Sequence, residues 1–81
     1  MTVLGWGRLA RSVKWHCWQT VPAEGRVSSA CLRVQNVLPV DVYGNSNGEL
    51  RRRYRDIPSG AWRCRGCLVQ PDVRRYEEGL A

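Results

Sequence analysis

Four cysteines and one histidine are the residues in this sequence whose chemistry can be named: His16, Cys17, Cys31, Cys64 and Cys67. Thiolate and imidazole are the donors that zinc prefers. Cys64 and Cys67 are separated by two residues, and a tight turn can bring two such thiolates to the same side of one ion. Gly66 within the pair relaxes that turn. A C-x-x-C pair also suits a redox dithiol or two ordinary thiols. Cys17 and Cys31 could complete a four-thiolate zinc site, with His16 as an alternative ligand. The spacing C-x13-C-x32-C-x2-C differs from compact zinc modules, whose ligands come in close pairs. The competing reading is cysteines that simply bury. His16 beside Cys17 could suggest a thiolate–imidazolium pair. Adjacent residues rarely aim at each other, however, and no acid lies near in sequence to orient the ring. No carboxylate pair and no phosphate-cradling glycine loop is present, so no enzymatic activity is expected.

The densest charge is Arg51-Arg52-Arg53-Tyr54-Arg55. Four guanidinium groups around one aromatic ring could track a phosphate backbone while the ring stacks on a base. Such a run also resembles a nuclear-localisation signal, and its bland counterpart is a charged edge strand protected from pairing. The whole chain agrees in sign. Its net charge is +6, and of 13 basic residues only Lys14 is lysine. Arginine presents a planar fork suited to phosphate and carboxylate. The expected partner is therefore nucleic acid or an acidic protein surface, within a larger complex in one variant of this reading.

Asp56-Ile57-Pro58-Ser59-Gly60-Ala61-Trp62-Arg63-Cys64-Arg65-Gly66-Cys67-Leu68 resembles the closing segment of a PHD zinc finger of the autoimmune-regulator type. The resemblance covers residues 56–68. It implies that Cys64 and Cys67 are the last ligand pair of a zinc site, that Trp62 is a structural core aromatic, and that Ile57 and Pro58 lead into the turn. The family pattern has two interleaved zinc sites with seven cysteines and one histidine. No His or Cys lies between Cys31 and Cys64, so a complete two-zinc finger is excluded.

The elements that must position these residues are less legible. Eighty-one residues make one small domain, which gives a hydrophobic core little margin without a metal, a disulfide or a partner. No stretch approaches the roughly 18 apolar residues of a membrane span. Residues 1–23 read as a basic leader, amphipathic enough for a short N-terminal helix or a mitochondrial targeting segment. Arg8 and Arg11 interrupt any secretory apolar run, so reduced thiols are expected rather than disulfides. Residues 24–31 read as a linker. In residues 32–55, Leu32, Val34, Leu38, Val40 and Val42 alternate with polar residues. Gly44-Asn45-Ser46-Asn47-Gly48 supplies a turn. One β-hairpin with a basic second strand is the expectation. Residues 56–70 form the PHD-like zinc half-site, and 71–81 a tail.

These readings together predict a small, mostly irregular, partly disordered chain with one β-hairpin. The leading function is a non-enzymatic nuclear binding module, or a fragment of a chromatin-associated PHD-type protein, with zinc as its cofactor. The alternatives are a small basic mitochondrial or assembly-type protein that orders in a complex, and a chain without an evolved role.

Overall fold

The structure is a computed structural model that describes residues 2–10, 12–21, 25–44 and 49–79. Arg11, Pro22 and Ala23 of the leader, Glu24 of the linker and residues 45–48 of the expected turn lie outside the described residues. The chain forms a curled, mostly antiparallel sheet with a C-terminal helix. Its elements are β1 (Val3–Leu9), β2 (Lys14–Val21), β3 (Arg26–Ser29), β4 (Val42–Tyr43), β5 (Trp62–Arg63), α1 (Arg65–Leu68) and α2 (Pro71–Gly79). The spatial order is β3-β2-β1-β4, with β5 added in parallel to β2. Among the described residues no helix is long and apolar enough to cross a membrane.

The amphipathic helix expected within residues 1–23 is instead the β1–β2 hairpin. Trp15, His16, Cys17, Trp18 and Gln19 are all buried in succession. A strand covered on both faces carries no alternation, so its sequence has no period of two to recognise. The i, i+4 spacings that suggest a helix there are incidental. Gly5 and Gly7, which would weaken a helix, are required in β1. Gly5 has φ +141°, and a Cβ there would lie 2.6 Å from the Arg51 carbonyl oxygen.

The hairpin expected over residues 32–55 does not form as such. Leu32 and Asn36 adopt left-handed backbone at φ 63° and 56°, and a 3-10 turn occupies Pro39–Asp41. These break the strand, and Val40 is exposed while Val42 is buried. What remains extended pairs elsewhere: Tyr43 and Val42 with Arg8 and Leu9, Val37 with Val27, and Arg51 with Trp6. The basic run is consequently no strand beyond Arg51. It bends and enters a 3-10 turn at Tyr54–Asp56.

Residues 71–79, expected as a tail, are α2. Proline at the first helical position, Asp72 in the first turn and Gly79 at the end are helix-boundary signals. Val73 anchors the helix in the core. One side chain fastens it further: Glu77 Oε1 accepts the Trp6 indole N–H and the Tyr54 backbone N–H, both at 2.7 Å. The core has two parts, one around Trp6, Trp15 and Cys17 and the other around Trp18, Val27 and Val42. Alternate β2 residues supply them from opposite faces.

Candidate metal centre

The middle of β2 is where three distant segments meet. The upper part of one β2 edge pairs with β3, from Trp18 opposite Ser29 to Val21 opposite Arg26. The lower part pairs with β5, Lys14 with Trp62 and Trp15 with Arg63. Between them the Cys17 carbonyl accepts the Ala30 N–H and the Trp15 carbonyl accepts the Cys64 N–H, each at 2.8 Å. The two strands therefore leave the β2 edge on either side of His16. Cys31 follows one and Cys64 follows the other. Helix α1 then starts after Cys64, and the Leu68 and Val69 N–H groups bond back to Cys64 and Arg65. That single turn places Cys67 on the same side as Cys64, as three-residue spacing on a helix requires.

The result is a cluster of His16, Cys31, Cys64 and Cys67 whose ligand atoms all lie within 4.8 Å of one another. His16 Nδ1 is 3.6 Å from the sulfurs of both Cys31 and Cys67. The Cys31 and Cys64 sulfurs are 3.8 Å apart. These four residues could hold a metal ion. All four cysteines are free thiols.

Surroundings favour that use. Burial, and then the nearby Lys14 and Arg33 charges, hold the His16 pKa below its usual value, so the ring is neutral at physiological pH with a lone pair to offer. Burial opposes ionisation of Cys31, but hydrogen bonds from the Ser29 hydroxyl, the Arg33 N–H and the neighbouring thiols outweigh it and bring its pKa down. Ser29 is fully buried. Its Oγ accepts the Val34 N–H at 3.1 Å and lies 3.3 Å from the Cys31 sulfur. The hydroxyl proton is thus free to point at sulfur. Burial pushes the Cys67 thiol up to about 12, a cost that a bound cation would remove.

Of the residues singled out in the sequence, the structure brings together His16, Cys31, Cys64 and Cys67 and leaves out Cys17. Cys17 packs fully buried in the same core as Cys64 and Cys67, beside Trp6, but its thiol is not among the donor atoms gathered within 4.8 Å of one another. Burial raises its pKa. The glycine of the C-x-x-C pair needs no special backbone, because Gly66 sits within α1 and a Cβ there would meet its nearest atom at an ordinary 3.5 Å. Trp62, expected as a core aromatic beside the metal, is 61% exposed. Its ring carries the Lys14 ammonium 5.0 Å from its centroid.

The arginine run divides its side chains among several surroundings. Arg51 is tied into the sheet: its N–H and carbonyl bond Trp6, and its Nε donates to the Gly44 carbonyl at 3.3 Å. Arg52 and Arg55 are exposed and Arg53 is half-buried. Tyr54 packs edge-on against Trp6 with centroids 5.2 Å apart. The sequence had no means of singling out Ser29 as a partner of the cluster, since it lies on a strand that the periodicity leaves unmarked. No protein-family model, curated protein or solved structure matches this chain.

Proposed function

We propose that this chain is a small non-enzymatic binding module built around one structural Zn²⁺ held by His16, Cys31, Cys64 and Cys67. One observation carries the reading: the distances between donors. Tetrahedral zinc with its usual bond lengths separates two sulfurs by about 3.8 Å and a sulfur from a nitrogen by about 3.5–3.6 Å. The cluster has 3.8 Å for the Cys31 and Cys64 sulfurs, and 3.6 Å for His16 Nδ1 to each of two sulfurs. Three thiolates and one imidazole fill the coordination shell. No position is left for a substrate or an activated water, which is the mark of a structural rather than a catalytic site. Bound zinc would supply folding free energy and lock β3, β5 and α1 onto β2.

The positive charge of the chain supports a polyanionic partner for the surface so held. The likeness of residues 56–68 to a PHD closing segment agrees with Cys64 and Cys67 as a ligand pair. It does not extend to Trp62, whose ring is exposed, or to the other two ligands.

The decisive experiment contrasts two adjacent residues. Metal content is measured on reduced, purified protein by native mass spectrometry. Wild type and Cys17→Ala should each carry one zinc, while His16→Ala and Cys64→Ala should lose it or bind it far more weakly. Zinc-free wild type, or loss of metal on Cys17→Ala alone, would overturn this reading.

A further inference from the structure

We infer that the cleft beside the cysteine–histidine cluster binds single-stranded nucleic acid, with a base stacked on Trp62 and phosphates held by Lys14, Arg33 and Arg65. The cleft has a volume of about 470 Å³, within the roughly 300–1,000 Å³ of ordinary ligand sites. Four cations line it, namely Lys14, Arg33, Arg63 and Arg65, together with the rings of Tyr54 and Trp62. No carboxylate lines it. The four cations come from four separate parts of the chain: the start of β2, the loop after β3, β5 and α1. They converge only in the fold, and without a compensating acid they repel one another unless an anion enters.

The detail of the walls favours nucleic acid over other polyanions. Arg63 is fixed in place: its guanidinium lies 5.2 Å from the Tyr54 ring centroid, and Nη2 donates to the Ile57 carbonyl at 3.1 Å. Its Nε is buried without a hydrogen-bond partner among the described residues. This wall therefore carries a positive charge with no carboxylate among the described residues that line the cleft. Trp62 lines the same cleft, 61% exposed, with the Lys14 ammonium over its ring 5.0 Å from the centroid. An exposed indole flanked by cations is the arrangement that stacks unpaired bases while neighbouring charges track the backbone. Duplex DNA keeps its base faces stacked inside and could use only the cations. A phosphopeptide would use the cations and leave the indole idle.

The inference deepens the binding-module reading and rests on it, because Cys64 and Gly66 belong to the cleft wall. Its test uses the full zinc-loaded chain and fluorescence anisotropy with a labelled oligo-dT of about 15 nucleotides, a length matched to known single-strand sites. Saturable binding is expected, weakened about tenfold by Trp62→Ala and much less by Trp62→Phe, which keeps a stacking ring. Arg65→Gln should weaken binding and flatten the slope of log affinity against log salt by about 0.7. Arg75→Gln, the same charge change on exposed α2 outside the cleft, should alter affinity by no more than about twofold. Equal effects of Trp62→Ala and Arg75→Gln would overturn the inference. So would tighter binding of a duplex, or of a phosphopeptide of equal charge. Zinc content measured on the same samples separates the two readings. One equivalent of zinc without oligonucleotide binding overturns the cleft and spares the metal site, and oligonucleotide binding without zinc does the reverse.

Discussion

Ser29 does two jobs with one oxygen. Its Oγ accepts the Val34 N–H, which orders the loop after β3, and it faces the Cys31 sulfur. Metal sites depend on such outer contacts because they orient the ligand and set its charge. Ser29→Ala leaves the Val34 N–H without this acceptor and the sulfur without one of its donors. The folded state should lose about 1–3 kcal/mol, and metal affinity should fall roughly 10- to 100-fold. Competition against a chromophoric chelator measures the second, and urea unfolding of the metal-loaded protein the first. Unchanged affinity would show that the serine serves the loop alone.

At the scale of elements, β1 is a strand whose backbone is closely approached by a neighbouring segment. The register against β2 shifts by a residue between Val3 and Gly5. There Gly5 turns into positive φ, and the Arg51 carbonyl approaches to accept the Trp6 N–H at 2.7 Å. A side chain at Gly5 meets both penalties at once. The conformation is strained for any residue with a Cβ, and the Cβ would sit 2.6 Å from a backbone oxygen that cannot swing aside. Gly25 has positive φ as well, at +63°, but has open space around it. Gly25→Ala should therefore cost about 1 kcal/mol. Gly5→Ala should cost about 3 kcal/mol and release the Arg51 segment from β1. Denaturant titration of the two variants side by side tests the ranking, and equal costs would refute the account of β1.

The whole molecule has two small clusters of buried side chains joined through β2, and its strands β4 and β5 are two residues each. Domains of this size have little stability margin, and a metal or other cross-link often supplies it. Structural zinc contributes about 10–16 kcal/mol in small modules, whereas the net stability of an entire domain is about 5–15 kcal/mol. Removing the ion should therefore unfold the molecule rather than loosen one end. With excess chelator in reducing buffer, far-UV circular dichroism should lose its strand signal. Tryptophan emission should shift to the red as Trp6, Trp15 and Trp18 reach water, and zinc should restore both signals. Acid should act like chelator, since protons compete with the metal for the thiolates and the imidazole. A chain that keeps its fold and emission after chelation would show that the glutamate clasp of Glu77 and the two cores suffice without metal.

Some of this protein was determined by residue order alone. Three-residue spacing brings Cys64 and Cys67 to one side of a turn whatever the rest of the chain does. The excess of arginine sets the net positive charge, and Pro71 and Asp72 are local helix-start signals that the reading of 71–81 as a tail passes over. The remainder depended on tertiary structure. Strand β2 is covered on both faces, so the burial that makes it central also erased the alternation that would have announced it. The other half of the cluster comes from Cys31 and His16, many residues away from Cys64. Only the sharing of one β2 edge by β3 and β5 sets them beside it. His16 joins the cluster and Cys17 stays outside it, although Cys17 packs in the same core as Cys64 and Cys67, and that choice is set by how the strands pack, not by either residue. The same holds for the cationic cleft: Lys14, Arg33, Arg63 and Arg65 are scattered in the chain, and they form one surface because the sheet folds their four segments together.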